Sequence, residues 1–157
     1  MSDSKTALRR GILAVAAAGA ILAGLAAVAQ DDTAGKPVVS IRELMEKTIT
    51  PASNTIWNAY EPPSDEDAWL RLEEAAVTMM VAAQVTAIGG TGPMDDEWAR
   101  QPAWKAFNEV MLTASRDALA AIRARDHDAL LAAGDVLYPP CEGCHQQFNP
   151  GVVDAAQ

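Results

Sequence analysis

From Ser40 onward, apolar residues recur at three-and-four spacing in runs parted by proline- and glycine-marked breaks, and this is the period of amphipathic helices. The first run carries Ile41, Leu44, Met45, Ile49, Ala52 and Ile56. Ser40-Ile41-Arg42-Glu43 forms a capping-box pattern at its start, with Val39 and Leu44 placed for a hydrophobic staple. Pro51 has no amide to give to the Lys47 carbonyl, so it predicts a kink, or Thr50 caps a second segment; Glu61-Pro62-Pro63 ends the element either way. Ser64 with Asp67 opens a second helix, carried inward by Trp69, Leu72, Ala76, Met79 and Ala83 and stopped by Gly89-Gly90. Thr91 to Gln101 reads as a loop. Pro102 suits the first turn of a third helix with the stripe Trp104, Phe107, Met111, Ala114, Ala118 and Ile122. Asp126 caps a fourth, in which Leu130, Ala133, Leu137, Cys141 and Cys144 share one stripe; Tyr138-Pro139-Pro140 predicts a bend or break before a short new turn beginning at Pro140. Four helices without strands, joined by short connections, predict an all-α, antiparallel four-helix bundle.

The last stripe carries the chemistry. Cys141-Glu142-Gly143-Cys144-His145 is a C-x-x-C-H run, the attachment signature of c-type haem, and it holds both of the chain's cysteines. Residues three and four apart share one side of a helical turn, so one porphyrin can meet both thiols, as thioethers, and the imidazole, as an axial iron ligand. A thiol-disulfide pair is the main rival, but that motif belongs at a helix start in a strand-helix-strand pattern, and no strand precedes this one. A zinc half-site needs further ligands, and the other histidine is His127.

Residues 1–29 change the picture again. Lys5, Arg9 and Arg10 precede the apolar run Gly11 to Ala29, which closes on Ala27-Val28-Ala29, the three-part pattern of a cleavable secretory signal. An uncleaved membrane anchor is the alternative, since the run approaches the ~20 residues needed to span a bilayer. Either way the expected compartment is the periplasm. Residues 30–37 then form a linker and 38–157 the haem-binding domain. Cleavage removes three basic residues and Asp3, taking the formal charge from −9 to −11. Such an acidic chain is a poor binder of nucleic acid, and it favours steering toward a basic redox partner protein.

A C-terminal C-x-x-C-H on the last helix of an exported four-helix domain resembles the cytochrome c-prime family and its low-spin, methionine-ligated relatives, over roughly residues 38–149. The resemblance implies one covalent haem c on Cys141 and Cys144, His145 as proximal iron ligand, and a residue of the first helix at the other iron face. Arg42-Glu43-Leu44-Met45 resembles the family's first-helix arginine followed by leucine or methionine. Met45 is therefore the expected distal ligand, Leu44 its alternative by a one-residue slip, and Arg42 a candidate propionate partner. Met79, Met80 and Met111 stand in reserve. The family often carries a basic residue shortly after the histidine; here Gln146, Gln147, Phe148 and Asn149 follow. A homodimer through the first two helices is also implied.

Electron transfer through a His145/Met45 haem is the leading expectation, because methionine ligation raises the reduction potential. A five-coordinate haem binding nitric oxide or carbon monoxide is the alternative, and a thiol redox module on Cys141 and Cys144 the second. No acid–base or nucleophile–base constellation stands out, so the expectation is a carrier and not an enzyme. His127 is expected as a solvated residue near a helix start. Trp98, set among Asp95, Asp96, Glu97 and Arg100, is expected as a loop anchor or an exposed partner surface.

Overall fold

The computed structural model describes Gly35, residues 37–149 and Gly151; the expected export signal and most of the expected linker lie outside these residues. The described residues are helical and include no strand. A first rod is built of α1 (Ile41–Leu44), a π-type turn (Met45–Ile49) and α2 (Thr50–Trp57). It is followed by α3 (Glu66–Ala87), α4 (Asp95–Arg100), α5 (Pro102–Ala124) and α6 (His127–Phe148). None of the described helices is long and apolar enough to cross a membrane.

The expected start of the first rod is present in full. Ser40 Oγ accepts from the Glu43 amide at 3.2 Å while the Glu43 carboxylate accepts from the Ser40 amide at 2.8 Å. The second helix starts one residue later than the sequence pattern indicates. Asp65, not Ser64, takes the Ala68 amide at 2.8 Å, and the Ser64 hydroxyl supports it by donating to the Asp65 carboxylate. Gly89, at φ +102°, turns the chain out of α3. Between α5 and α6, Arg125 adopts a left-handed φ of 57°, and the Arg125 and Asp126 amides return to the Ile122 and Ala121 carbonyls as a Schellman turn.

Two expectations are corrected. The stretch Thr91–Gln101 contains the helix α4, whose first turn holds Asp95, Asp96 and Glu97 against the positive end of the helix dipole. And α6 runs on through Pro139 and Pro140, so the expected break and new turn at Pro140 are absent. The carbonyls deprived of their amides belong to Asp135 and Val136, both exposed, so water can satisfy them.

Neighbouring helices run in opposite directions. Arg123 and Arg125 near the end of α5 pair with Glu73 and Glu66 toward the start of α3, and Trp104 near the start of α5 donates its indole N–H to Thr86 at the end of α3, at 2.8 Å. Trp57 at the end of the rod donates to the Gly134 carbonyl of α6 at 3.1 Å. The core between them is apolar, with Ala76, Met79, Ala114, Ala118, Ile122 and Leu137 wholly buried. Many of these positions are alanine, which lets the backbones approach closely and leaves the bulk to fewer large side chains.

Candidate functional site

Three elements meet around one cleft. The first rod gives it Met45, Ile49, Thr50, Ser53, Asn54 and Trp57; α5 gives Trp104, Phe107, Asn108 and Met111; α6 gives Pro140, Cys141, Cys144 and His145. The free space in and in front of it, open solvent included, is about 640 Å3. No lining residue is Asp, Glu, Lys or Arg, so the space is neutral and mostly apolar, as cofactor sites commonly are.

The α5 wall is fixed from behind. Asn108 is buried and gives its amide to the Trp104 carbonyl at 2.8 Å, while the Thr86 hydroxyl bonds to its side-chain oxygen. Trp104 is in turn held by its bond to Thr86, so wall and support form one closed network. Trp98 stacks on Trp104 at 5.6 Å, and Phe148 meets the Trp104 ring edge-on at 5.0 Å. Trp98 is therefore a half-buried brace on α4, and Phe148 closes the end of α6 against the same aromatic group.

The chemistry-bearing groups are half-buried. Burial pushes the Cys141 thiol up to about 11, and burial together with the neighbouring Cys141 pushes Cys144 up to about 12. Both stay protonated at neutral pH, and the Cys141 thiol donates to the Leu137 carbonyl at 3.3 Å. Burial lowers His145 from its ordinary value of 6.5, which leaves a neutral ring with a free lone pair at pH 7. Among the described residues there is no cluster of three or more His, Cys, Asp or Glu that could hold a metal ion, so a zinc site on the cysteine pair lacks partners there.

Of the residues singled out in the sequence, Cys141, Cys144, His145 and Met45 come together on this cleft. Leu44 is half-buried and does not line it; Met79 lies wholly in the core, Met80 packs against the core, and Met111 joins the cleft. Arg42 is not brought to it, because its guanidinium pairs with Glu46 at 2.9 Å on the solvent side. His127 is no free surface residue: its Nε2 lies 2.8 Å from the Ala59 carbonyl and ties the start of α6 to the end of the first rod. Of the α5 wall, only Met111 is a candidate from the sequence, as a reserve ligand; Trp104 and Phe107 read there as core stripe. Asn108, a polar residue four after Trp104 on an apolar face, was the available signal. Comparison with family models, with curated proteins and with solved structures finds no match to this chain.

Proposed function

We propose that the chain is an exported monohaem c-type cytochrome, an electron carrier built on an antiparallel four-helix bundle. One observation carries the reading: both cysteines and the histidine of the C-x-x-C-H motif share a single apolar cleft with Met45 of the first rod. The residues fit a large, flat, apolar group. Trp57, Trp104, Phe107 and Pro140 supply walls, the thiols are unspent, and the imidazole is held neutral.

Haem, when bound, supplies a one-electron couple whose potential methionine ligation raises. Cys141 and Cys144 would hold it as thioethers, and the His145 nitrogen and the Met45 sulfur would be its iron ligands. Export places this carrier in the periplasm, on the strength of residues 1–29. A thiol redox role is disfavoured, since reactive thiols of that kind are held well below their ordinary value and these are pushed above it. A homodimer has a suitable face on α3, where Leu70, Val77, Val81 and Ile88 are exposed at intervals of seven, four and seven residues.

Expression in a host that attaches haem, followed by intact mass and visible spectroscopy, tests the reading. The expected product carries one haem and shows the weak far-red ferric band of sulfur–iron coordination, which Met45→Leu abolishes. A broad high-spin spectrum in the parent would turn the assignment to gas binding, and a mass without haem would end it.

A further inference from the structure

The first rod changes its winding where it meets the cleft. Thr50 gives its amide to the Met45 carbonyl, five residues back instead of four, and Met45–Ile49 form a π turn between α1 and α2. The cause stands next in the sequence. Pro51 has no amide for the Lys47 carbonyl, and in an unbroken α-helix its ring would press against that carbonyl. Widening the turn makes room for the ring. Glu46 and Lys47, whose carbonyls lose their α-helical donors, are exposed and can be served by water.

The widened turn also sets where Met45 points. An α-helix rotates about 100° per residue, and a π turn takes in one extra residue, so everything before it is turned by about that amount. Ile49, Thr50, Ser53, Asn54 and Trp57 define the direction of the cleft. Carried back at the α-helical period, that frame would place residue 45 roughly 110° away, on the side of Ala52 and Ile56. The extra residue brings it to within roughly 10° of the cleft direction. Met45 lining the cleft while Ala52 and Ile56 stay in the core agrees with this.

The geometry points to Pro51 as a positioning residue: by denying Lys47 an amide partner it holds the π turn that aims the Met45 sulfur into the cleft. This rests on Met45 being the distal ligand of the proposed function. Pro51 itself is exposed, lines nothing and touches no reacting atom.

Pro51→Ala restores the amide, and Pro51→Ser restores it with a different side chain, so that one folded variant suffices. Each is compared as the haem-loaded protein with the parent and with Met45→Leu. The measurements are the far-red ferric band, the ring-current-shifted Met45 methyl resonance of the reduced form, hydrogen exchange of the amide at residue 51, and far-UV circular dichroism. The expected result is a slowly exchanging amide at 51, unchanged haem content and helicity, and a methionine-bound to unbound ratio lowered about five-fold, the worth of one backbone hydrogen bond. A parental methionine signature in either folded variant overturns the role of Pro51, whether or not the new amide is protected. A parent without that signature, or a Met45→Leu protein that keeps it, instead overturns the ligand assignment.

Discussion

Gly143 owes its place in the motif to Phe107. A Cβ at that position would lie 2.8 Å from Cε1 and 3.1 Å from Cζ of the ring, so the phenylalanine rests directly on the backbone between the two cysteines. Gly143→Ala must drive the ring toward the cleft, at an expected cost of about 1–3 kcal/mol by overpacking; a melting temperature equal to the parent's would show that the ring has room. The titrating groups beside it give a pH dependence for the haem-free chain. The thiols have folded values of about 11 and about 12 against an ordinary 9.0, so their contribution is complete below pH 9.0 and is lost as pH rises through 11 to 12. His145 runs the other way. Its folded value is depressed by burial, so its contribution is present above the ordinary 6.5 and is lost as pH falls below it. Urea midpoints across pH should therefore decline on both sides of neutrality. Replacing both cysteines by serine should remove the alkaline decline alone.

At the level of elements, a single carboxylate organises the entrance to the first rod. Asp95, buried at the start of α4, accepts from the Ile41 amide and from the Gly92 amide, each at 2.8 Å, and so caps a helix more than fifty residues earlier in the chain. Asp95→Ala should cost about 2 kcal/mol, in line with a lost cap that leaves a buried amide unpaired. Hydrogen exchange should show the loss at Ile41 and along α1 before it shows at α6. That bond joins segments which share no local pattern, and for the same reason α4 was invisible in the sequence: six residues give too few turns for a period to show, and they are held by contacts from elsewhere. What was legible is local. The Ser40 capping box, the Asp126 cap, the stripes of the long helices and the cysteine–histidine motif each depend on residues a turn or two apart. Pro139 and Pro140 misled because their cost depends on whether water reaches the freed carbonyls, and burial is a tertiary property. Met45 was legible as a candidate; the winding that aims it emerged only when the rod was seen against α5 and α6.

For the whole molecule, α3 offers an exposed apolar face without a partner among the described residues of the monomer. Leu70, Val77, Val81 and Ile88 are 41–54% exposed along one helix whose other side is core. If two copies meet there, sedimentation should show a dimer that strengthens with salt, because each chain carries a formal −9 that salt would screen. Val77→Lys with Val81→Lys should leave a monomer whose spectrum is unchanged. A concentration-independent monomer in the parent would dismiss the face as an interface.

The distribution of indole rings gives the protein an optical property of its own. Trp57 and Trp104 border the cleft and Trp98 is stacked on Trp104, while Trp69 lies under the Arg125 guanidinium at the opposite end of the α3–α5 pair. A strongly absorbing cofactor seated in the cleft would drain excitation from the first three rings far more efficiently than from the fourth. Fluorescence should thus dim in step with maturation, the residual glow belonging mainly to Trp69, and Trp69→Phe should yield a holoprotein that is nearly dark.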